Sequence, residues 1–396
     1  MVPDTAAEAP LAVRGRIYHN RPLFTNHQSR EIMRKYGGGG AETRGALGLM
    51  SGTSLDGIDA ALIRSDGRGR VEAGARLSRA YDAAFRGRLR ALLGETGPVD
   101  EVERELTLKH AAAVRDLLAE ADMAAGDVQV VGFHGHTIWH HPEAGRTRQI
   151  GDGALLAAET GIDVVCDFRG RDMAEGGQGA PLAPLYHAAL AAALPKPLAV
   201  LNLGGVGNLT WIGPGADDIL AFDTGPGNAL IDDWAARHTG QPVDLGGALA
   251  RAGRVAESAL AALLDNPFFA LPPPKSLDRE DFDPAPVAAL SAADGAATLT
   301  AFTAAAVARA GDHLPAPPGR WLVTGGGRHN PALMAALAVR LTAPVAAVEA
   351  VGWDGDALEA QAFAYLALRA LDGLPLSLPG TTGVARPATG GVLHRA

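Results

Sequence analysis

The sequence predicts an α/β protein made of two copies of one lobe. Three observations carry this. Strand-length apolar runs alternate with helical periods, glycine clusters fall at the ends of those runs, and the order of elements starts again near residue 197.

The first round opens on Ala46–Met50, an apolar strand, followed by the polar turn Ser51–Gly57 and a second strand, Ile58–Ile63. This is a hairpin with an enlarged loop. A third strand is predicted around Val71–Leu77, then helices near Ala83–Leu93 and Val99–Ala121, the latter opening after Pro98. Strands follow at Val128–Phe133 and Ile162–Cys166, with a helix at Gly153–Glu159 between them. In the second round Leu198–Leu203, Leu209–Ile212 and Ile219–Phe222 are the three hairpin strands, and Gly204–Asn208 is the turn. The Ala229–Arg237 helix, an Ala-rich helix at Ala292–Ala310 and the strand Trp321–Thr324, ending in Gly325-Gly326-Gly327, come next. A helix from Pro331, a strand at Val345–Val348 and a helix at Asp354–Leu371 close the round. The lobes are placed at 45–195 and 196–396, with a ligand expected in the cleft between them.

Residues 1–44 stand apart. They carry Arg14, Arg16, Arg21, Arg30, Arg34, Lys35 and Arg44 against Asp4, Glu8, Glu31 and Glu42, without periodicity, and read as a disordered extension. Over the 396 residues, 47% are apolar and 20% charged, enough for a full core. The net charge of −9 argues against nucleic acid or an anionic membrane as a general partner. Cys166 is the single cysteine and no apolar run is long enough to span a bilayer, so a cytoplasmic location is expected.

Four motifs carry chemistry. Ser51–Gly57 gathers small residues whose backbone N–H groups and hydroxyls suit a di- or triphosphate; read alone, a plain hairpin loop weighs as much. It lacks the Gly-Lys-Ser/Thr of a P-loop, but the turns at Asn202–Asn208 and Gly325–Gly327 favour a nucleotide clamped from both lobes. Asp56 could hold Mg²⁺ through water. Asp223, between an apolar strand and Gly225-Pro226-Gly227, is either a general base facing the cleft or a helix N-cap. Asp167–Asp172 offers Arg169 and Arg171 for a sugar-acid carboxylate, or forms a surface salt-bridge loop. In His134–His141 no Cys or Glu completes a zinc spacing, which favours Thr137 and a histidine as polar substrate contacts.

Leu49–Gly57, Asp167–Pro181 and Phe222–Asn228 together resemble the anhydro-N-acetylmuramic acid kinases, from about residue 46 to the C-terminus. The resemblance implies duplicated actin-like, ribonuclease H-like ATPase lobes around a central cleft. It implies ATP-dependent opening of 1,6-anhydro-N-acetylmuramic acid by water, with phosphorylation of the freed O6, in peptidoglycan recycling. Carried over, Asp223 is the catalytic aspartate. The ATP set is Ser51, Gly52, Thr53, Ser54, Leu55, Asp56, Gly57, Ile58, Gly204, Gly205, Asn208, Gly325, Gly326 and Gly327. The sugar set is Thr137, Arg171, Asp223, Asn228 and Glu359. Mg²⁺ and a homodimer also follow from the resemblance. Three departures stand out: His136 and Trp139 where the family reads Gln and Arg, Gly170 where it pairs arginines, and Thr224 where Cys is frequent. They keep open a kinase for another sugar; a nucleotide-gated binding protein and a phosphohydrolase are the remaining alternatives.

Overall fold

The computed structural model describes residues 42–52, 54–94, 98–215, 217–277 and 281–396. Thr53 and residues 1–41 of the predicted extension lie outside the described residues. Arg44, counted above with that extension, is already the first residue of a strand and pairs with Asp372 at 2.7 Å.

Two sheets form the frame. The first contains β1 (Arg44–Ser51), β2 (Gly57–Ser65), β3 (Val71–Ala80), β4 (Val130–His141), β5 (Arg146–Ile150) and β6 (Val164–Cys166). The second contains β7 (Leu198–Leu203), β8 (Val206–Ile212), β9 (Ile219–Pro226), β10 (Trp321–Thr324) and β11 (Val345–Ala347). A last strand, β12 (Val392–His394), returns to pair with β6. Side by side, the first sheet runs β12-β6-β4-β1-β2-β3, with β5 hung on β4, and the second runs β11-β10-β7-β8-β9. In each, the hairpin strands are antiparallel and the next two are parallel to the first. Both lobes therefore share one topology, which is the duplication the sequence predicts.

Each sheet buries both faces. On the outer side of the first sheet, Leu47, Leu49, Ile58, Ala60 and Leu62 alternate inward against Leu106, Val114 and Leu117 of the Asp100–Glu120 helix. On the inner side lies the Leu358–Leu371 helix, buried from Ala360 to Leu368. It approaches so closely that a Cβ at Gly48 would fall 1.7 Å from Ala360 O, and one at Gly132 would fall 2.0 Å from Phe363 O. Those two glycines are packing requirements. Fully burying a Leu or Phe there contributes about 1.5–3 kcal/mol, so this helix, late in sequence, is a main brace of the first sheet.

Four element ends that bear on the site differ from the sequence reading, the first being β8, which begins at Val206 and so takes Asn208 out of the expected turn and into a strand. β4 continues to His141, so the histidine run is strand; β9 continues to Pro226, so Asp223 lies within a strand. The last long helix begins at Leu358 instead of Asp354. Its preceding carboxylates are drawn into ion pairs, Asp354 with Arg76 at 2.5 Å and Asp356 with Arg328 at 2.6 Å. Among the described residues no helix is long and apolar enough to cross a membrane.

Candidate active site

At one edge of the second sheet, Thr324, Asn202, Asn208 and Asp223 are direct neighbours across β10, β7, β8 and β9. Opposed residues leave a sheet on the same face, so this is one polar rung. Two residues deeper, the same face carries Leu322, Val200, Thr210 and Ala221, all buried. The face thus changes from core to site at the strand ends. A bulge beside Asn208 sets Thr224 outside the regular pairing, and such bulges re-aim side chains at functional edges.

Asp223 is gripped by a neighbouring segment. Its N–H donates to Lys275 O at 2.9 Å, and its Oδ2 accepts from Leu277 N at 2.8 Å. Burial pushes the carboxyl up to about 7, and the Leu277 N–H opposes the rise. A carboxylate tuned to neutrality is suited to general-base chemistry. The N-cap alternative does not describe it: the residue preceding the Ala229–Thr239 helix is Asn228.

Facing this rung is Glu359, in the first turn of the Leu358–Leu371 helix, with Asn202 Nδ2 3.4 Å from its Oε1. Glu359 is solvent-accessible while densely surrounded by protein, the condition of a side chain on the floor of a cleft. Its pKa is raised, first by that enclosure and then by Asp59. Asp59 projects from β2, accepts from Ser78 Oγ at 2.5 Å, and is likewise raised by burial. Arg169 supplies the countercharge. Its Nη1 donates to Gly179 O at 2.6 Å and its Nη2 to His134 Nε2 at 2.9 Å. Burial brings its guanidinium down to about 10, opposed by Glu359 and Asp172. Burial and Arg169 hold His134 well below the ordinary histidine range, so a neutral imidazole accepts that bond.

The glycine turns converge beside the rung. Asn228 Nδ2 donates to Leu203 O at 2.7 Å and Gly204 O at 3.1 Å, which makes Asn228 the buckle between the β7–β8 turn and the helix behind it. A Cβ at Gly325 would meet Asn202 Oδ1 at 2.4 Å, so the β10 turn needs glycine to approach β7. At Gly204, Gly205 and Gly326 a Cβ would meet nothing closer than 3.7 Å, so internal packing does not demand glycine and the open side suits a phosphate. At the end of β1, Ser51 is buried, its Oγ 2.7 Å from Tyr81 OH and 2.9 Å from His136 Nδ1. Ser51 therefore braces the loop with its side chain. Ser54 and Asp56 are exposed, Gly52 and Gly57 half-buried, and Leu55 and Ile58 turn into the core, Leu55 with φ of 61°.

Two sugar candidates lie on the first lobe. Thr137 Oγ1, on β4, accepts from Gln149 Nε2 at 3.1 Å. Arg171 is mostly exposed and its Nε is 3.0 Å from Glu175 Oε1. Gly170 N donates to Asp167 Oδ1 at 3.0 Å, and a Cβ at Gly170 would lie 2.7 Å from both carboxylate oxygens. Trp139 stacks with His141 at 5.8 Å under the Arg146 guanidinium. The sequence reading did not single out Asp59. Its signal was an acid two residues past the glycine loop, in line with Ala61 and Ile63 on an otherwise apolar strand face.

Two sheets of one topology, with the glycine turns of the second sheet beside an aspartate of raised pKa, define a duplicated α/β enzyme scaffold. Residues 44–396 match the family model described as anhydro-N-acetylmuramic acid kinase. The anhydro-N-acetylmuramic acid kinase of Paramagnetospirillum magneticum is 59% identical, covering 88% of this chain and 99% of that protein. That of Rhodospirillum rubrum is 59% identical, covering 87% and 93%. Among solved structures, the xylulose kinase from Rhodospirillum rubrum aligns with a TM-score of 0.40 at 14% identity, over 80% of this chain and 92% of that one. The chain belongs to the anhydro-N-acetylmuramic acid kinase family, and its enzyme class is that of a kinase.

Proposed function

We propose that this kinase opens 1,6-anhydro-N-acetylmuramic acid with water and transfers the γ-phosphate of ATP to O6, giving N-acetylmuramic acid 6-phosphate and ADP in peptidoglycan recycling. The observation that carries the reading is Asp223: a cleft-edge carboxylate held near 7 by burial, in a chain of this family. Asp223 takes a proton from water as its oxygen bonds to the anomeric carbon. The bond from that carbon to the bridging oxygen breaks, and its electron pair becomes the O6 nucleophile. O6 attacks the γ-phosphorus, the bond to the β-γ bridging oxygen breaks, and ADP leaves.

Gly52–Ile58 meets the phosphates from one lobe; Gly204, Gly205, Asn208 and Gly325–Gly327 meet them from the other. Asn228 acts through the turn it buckles. Glu359 and Thr137 bind the sugar, and Arg171 reaches its carboxylate by releasing Glu175, an exposed i,i+4 pair that costs about 0.3–0.5 kcal/mol to break. Asp56, an exposed carboxylate in the loop, fits a cation held mainly by phosphate oxygens and reached through water. Mg²⁺ there would offset charge on the transferring phosphoryl group. The lobe limits 45–195 and 196–396, a homodimeric state and a cytoplasmic location belong to the same proposal; β12 and the Leu358–Leu371 helix then cross back to brace the first lobe.

The test uses purified protein, Mg·ATP, the anhydro-sugar and ¹⁸O-labelled water, with mass spectrometry of the sugar. A 6-phosphorylated product carrying one ¹⁸O at the anomeric hydroxyl at early times is expected, and Asp223→Asn should slow its formation by about 10²–10⁴. Unchanged ATP and anhydro-sugar would overturn the substrate assignment and turn attention to a different sugar, beginning at Trp139 and Gly170.

A further inference from the structure

The segment that grips Asp223 contains a buried cation which, among the described residues, has no carboxylate beside it. Lys275 is 6% exposed. Its Nζ donates to Phe268 O at 3.1 Å and lies 3.4 Å from His313 Nε2. The ammonium also sits 4.5 Å from the Phe268 ring centroid and 5.7 Å from that of Phe222. His313 is edge-on to Phe222, and its Nε2 is 3.0 Å from Phe269 O. Burying an ammonium in such a box costs desolvation that an aliphatic side chain of the same length would avoid. The charge therefore has to be understood through what it holds in place.

What it holds is the backbone from 275 to 277. Lys275 O accepts from Asp223 N at 2.9 Å, and two residues later Leu277 N donates to Asp223 Oδ2 at 2.8 Å. Three consecutive residues thus fix both the main chain and the carboxylate of Asp223. Phe222, the residue before Asp223 on β9, points to the opposite face, and there the ammonium lies over its ring. The loop of contacts closes on itself: β9 to Phe222, Phe222 to the ammonium, the ammonium to its own backbone, and that backbone to Asp223.

We propose that Lys275 is a positioning residue: its ammonium, seated against Phe222 and Phe268, locks the 275–277 backbone so that Leu277 N–H holds the Asp223 carboxylate in one orientation. This rests on Asp223 being the base of the proposed reaction. With Oδ2 bonded to the strap, Oδ1 is the oxygen outside that bond, and the carboxylate cannot turn without breaking it. Lys275 acts from the far face of β9 and touches no substrate. No charged side chain among the described residues contributes to the Asp223 shift: burial raises it and Leu277 N–H lowers it. Among the described residues, the one titratable group in contact with Lys275 is His313, together with the two phenylalanine rings. Loosening the strap removes a bond to the ionised carboxylate, so the Asp223 pKa moves further up.

The experiment compares Lys275→Met, Lys275→Arg and Asp223→Asn in the full chain, reading kcat, both KM values, the pH profile of kcat/KM, ATP affinity and the melting curve. Asp223 is followed independently by NMR of carboxyl-¹³C-labelled aspartate, with Asp223→Asn identifying the signal. In Lys275→Met, kcat is expected to fall about tenfold or more through misplacement of the base, with ATP affinity within about threefold. The acidic limb of the profile and the Asp223 signal should both move up by about half a pH unit or more, and Lys275→Arg should recover most of the loss. A folded Lys275→Met with wild-type kcat and an unmoved Asp223 signal would overturn the proposal. So would equal losses in both variants without movement of that signal. If Lys275→Met does not fold, Phe268→Leu, which removes the ring beside the ammonium, is judged by the same two results. Full activity in Asp223→Asn would sink the base assignment and this inference together; an inactive Asp223→Asn beside an unaffected Lys275→Met sinks the inference alone.

Discussion

Asn202 Nδ2 lies 3.4 Å from Glu359 Oε1, joining the end of β7 to the first turn of a helix that braces the other lobe. The contact puts a carboxylate from late in the chain on the cleft floor, with Asp59 and Arg169 acting on it from the first lobe. Glu359→Gln keeps the side chain's length and removes its charge. Loss of one charged hydrogen bond to the sugar, about 1.5–3 kcal/mol, should lower kcat/KM for the sugar by about tenfold to a hundredfold. Steady-state kinetics with each substrate varied in turn will show it. A matching rise in the KM for ATP would place Glu359 with the nucleotide instead.

The pH profile should report Asp223. Its carboxyl is pushed up to about 7 by burial, and the ionised form is the base. Activity should therefore rise with pH, about tenfold per unit below 7, and level off above it. Asp223→Asn should cost about 10²–10⁴ in kcat and flatten the rise. A wild-type profile that is flat from pH 5 to 8 would assign the proton to another group.

Stability has a pH dependence of its own. Burial lowers His110, His136 and His187 each to about 4. Between about 6.5 and 4 the unfolded chain binds protons at these sites that the folded chain does not, so stability is lost as pH falls through that window. Each histidine contributes a slope of about 1.4 kcal/mol per pH unit there. Asp223, raised to about 7, works in the opposite sense across the whole of that window. With His134 and His140 also lowered by burial, five histidines stand against three raised carboxylates, Asp223, Asp59 and Glu359, which leaves a net loss toward acid. Urea melts at pH 7 and pH 5 should show it, and His136→Gln should reduce the difference.

Much of the fold could be read because its signals are local. The strands Leu198–Leu203 and Trp321–Thr324 are mostly apolar runs closed by glycines, and the Ala292–Ala310 helix has a serine cap at Ser291. Asp223 reads from the sequence as the residue after a strand, whereas the fold sets it inside β9. What was not legible depends on distant partners. Nothing near Leu277 says that its N–H meets Asp223, and nothing near Gly48 says that Ala360 will lie on it. Arg169 and Arg171 look equivalent in sequence. Only the fold turns the first toward His134 and leaves the second exposed beside Glu175.

Arg171 offers a clean separation of binding from stability. Its pair with Glu175 is exposed and four residues apart, so Arg171→Ala should change stability by less than about 0.5 kcal/mol. If the guanidinium leaves Glu175 for the sugar carboxylate, the same substitution should raise the KM for the sugar about tenfold or more. An unchanged KM would return Arg171 to the surface loop and leave Arg169 as the arginine of the site.

Gly48 tests the brace between the lobes. The Ala360 carbonyl that a Cβ would strike at 1.7 Å belongs to helix backbone, packed on its other side against the core around Tyr186. It cannot rotate away as the tip of a side chain can. Gly48→Ala must therefore push the Leu358–Leu371 helix off β1, at a cost of about 1–3 kcal/mol or more. Because Glu359 rides on the first turn of that helix, the displacement should also weaken sugar turnover. A lower melting temperature with reduced kcat/KM for the sugar is expected. A variant as stable as the parent would mean that the helix can shift freely, and the cleft floor would then be a movable part of the enzyme.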